Sequence, residues 1–439
     1  MPLDFPPDLP GPDSFAAAWR KSGAPRSILI ALSGGSDSLA LLHLAAPLRR
    51  RGVRVGAATV DHGLRQDSRA EAERVAAMAC ALGVGHAILC WTGEKPKTGI
   101  QAAARAARYA LLAGHAVTIG AGVIMTGHTA DDQAETLLMR AARAGAAGLC
   151  GMRRETRIAM GPLGPVRLQR PVLDYRRAAL QAFLRNEGAR WIDDPSNDDH
   201  RFERVRLRAE IAQREAVDPS FVSGLVVRAR LEQERADDLD QRLVEMFTAS
   251  GGAFADDGTA LLRNFSAIDE DCAPAFLARL GRAVSGAQYL PSIGAAQMLF
   301  NALGEPGGKR PLGGALFERR GGALSVLREP AAIFGRAGVE PMKTRTVAPG
   351  DSVLWDGRFI IRNTGARAAE LAPLGANIDG LEPTGPALRY PDGEIAHFGA
   401  PGRRRRKFVC LAPERFFERI NRFNSPYEFV KSARGAGLP

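Results

Sequence analysis

Cysteine is scarce and scattered. The 439 residues hold five, Cys80, Cys90, Cys150, Cys272 and Cys410, and no two of them form a C-x-x-C pair. That argues against a zinc knuckle, an iron–sulfur centre or a disulfide framework, and it fits a reducing compartment. No apolar run approaches the ~20 residues of a membrane span. The opening stretch MPLDFPPDLPGPDSF is proline-rich and acidic rather than basic and then apolar, which is not the pattern of a signal peptide. A cytoplasmic protein is the expectation. No internal repeat or low-complexity tract is found.

What is present is globular. Hydrophobic residues at 45% and charged residues at 24% exclude a disordered chain, and the length implies two or three domains. Lys and Arg number 59 against 48 Asp and Glu, a net charge of +11 that favours a polyanionic partner. Single basic runs such as Arg49 to Arg51 and Arg403 to Lys407 serve equally well as solvated faces.

The most informative stretch is Ser27 to Leu44, SILIALSGGSDSLALLHL. A short apolar run ends in Ser-Gly-Gly-Ser-Asp-Ser, after which Leu39, Leu41, Leu42 and Leu44 resume at helical spacing. A buried strand, a glycine turn and a helix follow from that pattern. Gly34 and Gly35 allow positive φ and close approach, and a helix start offers free N–H groups and partial positive charge, so an anion the size of pyrophosphate suits the turn. Ordinary capping needs fewer than six small or polar residues. The loop is not of the Walker type, because no Lys followed by Ser or Thr comes after its last glycine. Gly304 to Arg310 (GEPGGKR) lacks both that spacing and the hydroxyl, and reads as a loop.

Val53 to Val60 reads as a second strand ending at Asp61-His62-Gly63-Leu64-Arg65, then a helix, then a strand near Ala87 to Cys90. This βαβα rhythm predicts a parallel, doubly wound sheet with ligands at the carboxyl ends of its strands. Ile100 to Ala113 is a helix carrying Arg105 and Arg108; Val123 to Thr126 is a strand, Gly127-His128-Thr129 a turn, and Asp131 to Arg143 a helix. Thr129 with Asp132 matches a capping box, which explains part of the acidity. Three carboxylates within about one turn (Asp131, Asp132, Glu135) exceed what a cap requires, and Asp132 and Glu135 share a face. They suit Mg²⁺ or an ammonium group. His128, between a strand end and this helix, is a further candidate. From Arg170 the chain reads RPVLDYRR, a helix over Tyr175 to Asn186, the turn-rich Trp191 to Asn197, and then Arg201, Arg204, Arg206 and Arg208. Arginines two apart share a face of a strand but spread around a helix.

SGGSDS resembles the pyrophosphate-binding loop of the N-type ATP pyrophosphatases, the PP-loop superfamily. Taken with DHGLR, GHTADDQAETLLMR, the GLCGM turn, RPVLDYRR and WIDDPSN followed by RVRLR, in that order and at similar intervals, the chain is similar to the tRNA(Ile)-lysidine synthases, strongly over residues 1–210 and weakly beyond. The resemblance implies an α/β fold, a doubly wound parallel sheet with a helical linker domain and a small C-terminal β-rich domain. The domains expected are 1–210 (ATPase and catalytic), 211–335 (mainly helical) and 340–439 (α+β, with possible tRNA binding). It also implies a ligase that spends ATP to adenylate the C2 oxygen of the wobble cytidine in the CAU anticodon of tRNA(Ile). The ε-amino group of L-lysine then displaces AMP. Ser33, Gly34, Gly35, Ser36, Asp37 and Ser38 would hold the phosphates of ATP, with Asp37 on Mg²⁺. Asp132 and Glu135 would handle the lysine ammonium, and His128, Arg108 and Arg206 would lie near the adenylate and lysine. The family commonly has Asn where this chain has Val205, which puts a polar role there in doubt.

Beyond Ala209 an amphipathic helix over Leu225 to Met246, further helices and short strands are expected, then β-rich sequence from Val347. Phe416, Phe417, Phe423, Tyr427 and Phe429 are an aromatic stripe suited to core, or with basic neighbours to base stacking. No obligate protein partner is implied. A tRNA thiolase of the same superfamily is the nearest alternative, but it wants a delivery thiol or a paired cysteine motif. A glutamine-dependent synthetase has no glutaminase candidate here, and a non-catalytic tRNA-binding protein leaves SGGSDS unexplained.

Overall fold

The computed structural model describes residues 10–64, 67–92, 95–96, 98–144, 150–159, 165–193, 203–287, 289–305, 307–338, 340–375, 383–397 and 408–417. Arg65, Gly148, Leu149, Asp194 to Asn197, Arg201, Arg403 to Lys407, Phe423, Tyr427 and Phe429 lie outside them. The chain divides into two compact units, Met1–Ala236 and Asp237–Pro439.

The first unit runs α1 (Pro12–Lys21), β1 (Ser27–Ala31), α2 (Ser36–Ala45), β2 (Arg54–Asp61), α3 (Ser68–Ala81), β3 (Gly85–Cys90), α4 (Ile100–Thr118), β4 (Val123–Thr126), α5 (Ala130–Ala144), β5 (Glu155–Ala159), β6 (Pro165–Gln169), α6 (Arg177–Asn186) and α7 (Glu203–Val217) into α8 (Phe221–Ala249). Its six-stranded sheet has the order β3-β2-β1-β4-β6-β5. All neighbours are parallel except the edge strand β5, which runs antiparallel to β6. Period-two alternation sends Ile28, Ile30, Val123 and Met125 to a face covered by α1, α2, α3 and α6, and Leu29, Ala58 and Ile124 to a face covered by α4. Helices thus lie on both faces, as the doubly wound pattern requires.

The strand order fixes where a ligand goes. The chain leaves β1 toward β2 on one side, while β4 pairs on the other, so the loops after β1 and β4 flank the switch point of the sheet. SGGSDS is the first of these loops and Gly127-His128-Thr129 the second. The β5–β6 hairpin is not foreseen from sequence. Its apolar positions, Ile158, Val166 and Leu168, alternate with charged ones, and Arg167 pairs with Glu155 across the two strands at 2.8 Å.

The second unit holds a five-stranded antiparallel sheet, whose strands β7 (Ala253–Phe254), β8 (Ala260–Leu262), β9 (Lys309–Leu312), β10 (Ala315–Arg320) and β11 (Ala323–Arg328) pack with α9 (Ala273–Ser285) and α10 (Ile293–Ala302). Strands Arg345–Val347, Ser352–Trp355, Phe359–Arg362, Ala369–Pro373, Pro386–Arg389, Ile395–His397 and Phe408–Cys410 form two small antiparallel sheets of four and three strands around Trp355, Phe359, Leu371 and Leu388. A C-terminal β-rich region is therefore present. Phe416 and Phe417 are core, packed on Phe247 and Phe254, so this part of the aromatic stripe is not a stacking surface.

One glycine sets the separation of the two switch-point loops. A Cβ on Gly127 would lie 2.7 Å from the Asp37 carbonyl oxygen and 2.8 Å from the Ser38 nitrogen, both backbone atoms with nowhere to go. Gly127→Ala is expected to destabilise the chain by ~1–3 kcal/mol, visible as a lower Tm in scanning calorimetry. An unchanged Tm would mean that the loops are not in contact.

Candidate active site

The SGGSDS loop adopts the expected form. Gly34 has φ +87°, and a Cβ there would also meet Val75 at 2.6 Å, so only glycine fits. Gly35 caps α2, whose first N–H groups have no intrahelical partner. Ser38 folds the loop onto itself, its hydroxyl accepting from the Ser33 N–H at 3.1 Å and donating to the Gly35 carbonyl at 3.1 Å. The Ile192 N–H donates to the Gly34 carbonyl at 3.0 Å, so the Trp191-Ile192 stretch straps the loop in place.

At α5 the capping box forms as read. The Asp132 carboxylate accepts from the Thr129 N–H at 2.9 Å and from its hydroxyl at 3.1 Å. The rest of the acidity meets arginine. The Arg177 Nε donates to Asp37 at 2.8 Å and its Nη2 to Asp132 at 3.4 Å, while its backbone N–H donates to Asp131 at 2.7 Å. Arg176 bridges Asp131 and Glu215, and Arg208 donates to Glu135 at 2.7 Å. Burial raises the Asp37 carboxyl above its usual range, and Arg177 offsets part of that. Burial likewise raises Glu135, which is 1% exposed, against the pull of Arg208. Its second oxygen has no hydrogen-bond partner among the described residues.

A cavity of about 1120 Å³ opens at the switch point. Ser33, Gly35, Ser36, Asp37 and Ser38 line it from one loop, and Gly127, His128 and Asp132 from the other; Asp61 and His62 of the DHGLR turn and Arg105, Arg108 and Arg177 complete much of the wall. Glu135 lies behind Arg208. Arg206 is not part of this lining. RVRLR is helical, so Arg204 and Arg208, four apart on one face of α7, reach the cavity, while Arg206 is exposed elsewhere on the helix. Ile211, one turn beyond Arg208, packs with Ala130 and Ala134 and holds α7 against α5.

Sequence reasoning missed Arg176 and Arg177 as site residues. The signal was there: two arginines at a helix start oppose the helix dipole, which favours carboxylates in that position. It also passed over Arg204 and Arg208. Among the cysteines, the Cys150 thiol donates to the Glu232 carbonyl at 3.2 Å and lies outside the cavity lining.

His128 sits 2.8 Å from the Thr126 hydroxyl through Nδ1. Burial lowers its pKa to about 4, and although Asp132 pulls it up, Arg170, Arg105 and Arg204 oppose protonation. Unfolded, the imidazole has a value of about 6.5, so the unfolded chain binds this proton more readily and the stability it contributes is lost as pH falls from 6.5 toward 4. In NMR titration the His128 ring is expected to stay neutral until about pH 4. A midpoint above 6 would contradict this burial.

Residues 14–215 match the PP-loop domain family, an ATP-binding domain, so the chain uses ATP. Over 353 residues the chain is 38% identical to the tRNA(Ile)-lysidine synthase of Rhizobium meliloti, covering 78% of this chain and 74% of the relative. The enzyme of that name from Ruegeria pomeroyi is 37% identical over 80% of each chain, and that from Rhodopseudomonas palustris is 40% identical over 72% of this chain and 93% of its own. No helix among the described residues is long and apolar enough to cross a membrane. At this identity over more than two thirds of each chain, the chain belongs to the tRNA(Ile)-lysidine synthase family.

Proposed function

We propose that this protein ligates L-lysine to C2 of the wobble cytidine in the CAU anticodon of tRNA(Ile), through an adenylated cytidine, so that decoding changes from AUG to AUA. The observation that carries the reading is that the anion-binding loop and the acidic start of α5 open onto one cavity. An anionic nucleotide and a cationic nucleophile are thereby given neighbouring places.

The chemistry follows from the leaving group. A carbonyl oxygen leaves poorly, and adenylation turns it into a phosphate ester that departs as AMP. The N–H groups at the start of α2 and the hydroxyls of Ser33, Ser36 and Ser38 receive the phosphates. Arg105, Arg108 and Arg204 supply positive charge where phosphate charge builds up. Arg206, exposed on the same helix, contributes from outside the cavity lining. Magnesium in nucleotide sites commonly uses one or two carboxylates plus phosphate oxygens, and Asp37, on the lining beside the loop, fits that donor set. When bound there, the ion would neutralise the phosphates.

Asp132 and Glu135 receive the lysine ammonium. The amine must lose its proton before its nitrogen attacks C2, and a carboxylate within reach accepts it as the C–N bond forms and the bond to AMP breaks. Glu135, with its raised pKa and unpartnered oxygen, and Asp132, on the cavity wall, are the two candidates. His128, neutral at pH 7, positions by hydrogen bonding rather than by charge. The second unit is assigned to the tRNA, whose phosphates suit the net charge of +11. The domains proposed from the sequence, with a linker over 211–335 and a C-terminal domain over 340–439, divide that task.

The test is incubation with tRNA(Ile) bearing CAU, ATP and labelled lysine. Lysine is expected in the tRNA with one AMP released per lysine, and incorporation of cysteine-derived sulfur instead would overturn the reading in favour of a thiolase. Asp37→Ala should lower AMP release by on the order of 10²–10³-fold with tRNA binding nearly unchanged. Loss of tRNA binding would place Asp37 in the fold rather than the chemistry.

A further inference from the structure

Arg177 has no local reason to be where it is. It is the first residue of α6, where the helix dipole repels a cation. Its guanidinium reaches out of α6 to two carboxylates on different helices, Asp37 on α2 and Asp132 on α5. The aim is enforced from behind: the Arg177 N–H is held by Asp131, and the neighbouring Arg176 by Asp131 and Glu215. Asp37 and Asp132 are both largely buried and repel one another, and a cation between them relieves that repulsion.

Both Asp37 oxygens are already engaged. Arg177 holds Oδ2 at 2.8 Å and the Ser36 hydroxyl donates to Oδ1 at 3.1 Å. A divalent ion arriving with ATP must therefore take an oxygen that holds a hydrogen bond. The longer arm of the bridge, 3.4 Å to Asp132, and the backbone bond to Asp131 keep Arg177 anchored when its bond to Asp37 opens.

We propose that Arg177 is an internal counter-cation: a positioning residue that pairs Asp37 with Asp132 in the nucleotide-free protein and yields Asp37 to the divalent ion when ATP binds. The proposal rests on the assignment of Asp37 to the metal made above. It links the two halves of the reaction. While Arg177 spans both carboxylates, the metal and the lysine ammonium each face a competitor. Once Asp37 is taken, Arg177 turns wholly to the acidic helix and sets the charge that the ammonium meets there.

Equilibrium binding of Mn²⁺ to the full chain without nucleotide, followed by electron paramagnetic resonance, reads this directly. In Arg177→Gln, which removes the charge, Mn²⁺ is expected to bind about fivefold or more tightly, while kcat for AMP release falls and KM for ATP changes little. Arg177→Lys keeps the charge and should return Mn²⁺ affinity to within about twofold of the parent. Circular dichroism confirms that each variant is folded. Unchanged or weaker Mn²⁺ binding in folded Arg177→Gln overturns the proposal, as does Mn²⁺ binding in Arg177→Lys as tight as in Arg177→Gln. Asp37→Asn separates the two claims. If it leaves Mn²⁺ binding intact, the metal assignment fails and the counter-cation proposal with it. If it abolishes binding while Arg177→Gln does not tighten it, only the role of Arg177 is lost.

Discussion

One guanidinium ties together three helix starts. Arg177 opens α6 and bonds to Asp37 in the first turn of α2 and to Asp132 in the first turn of α5. Each of these helix ends carries partial positive charge. Their convergence gives phosphates a favourable field and makes aspartate a natural residue at α2 and α5. The same field disfavours arginine at α6, so its presence there depends on the carboxylates it meets. Around it, five carboxylates (Asp37, Asp131, Asp132, Glu135, Glu215) share three guanidiniums (Arg176, Arg177, Arg208). The imbalance leaves room for an incoming cation, while Arg105, Arg108 and Arg204 elsewhere on the wall leave room for an anion.

The sheet makes this convergence possible. Because β1 and β4 are adjacent and parallel in the middle of the sheet, the loops that leave them are neighbours at its carboxyl end. Gly127 lets them touch, and Gly34 lets the SGGSDS loop turn beneath α3. Strand order, two glycines and one arginine therefore place the SGGSDS loop beside an acidic helix. Neither element alone distinguishes lysine ligation from the other reactions that begin by adenylating a carbonyl.

Much of this was legible in the sequence, and the reason is local. SGGSDS and Thr129 with Asp132 are short-range patterns whose hydrogen bonds close within a few residues, as the Ser33–Ser38 and Thr129–Asp132 bonds do. What was not legible depends on partners distant in the sequence. Arg177 is 140 positions from Asp37 and 45 from Asp132, and no spacing rule pairs them. Arg206 was expected at the site from the family resemblance, whereas on the helical α7 it is Arg204 and Arg208 that line the cavity, with α7 held against α5 by Ile211, a tertiary contact. The β5–β6 hairpin was missed for a related reason, since its short apolar face (Ile158, Val166, Leu168) shows only when packed on the neighbouring strands, and its charged face is joined by a cross-strand pair.

Nucleotide and lysine are proposed to meet in the cavity between the two switch-point loops. A crystal structure of the protein with a non-hydrolysable ATP analogue and L-lysine tests it most directly. The account predicts phosphates seated on Ser33 to Ser38, the lysine amine within hydrogen-bond distance of Asp132 or Glu135, and both ligands in the same cavity. Lysine bound elsewhere, or phosphates seated away from the SGGSDS loop, would contradict it.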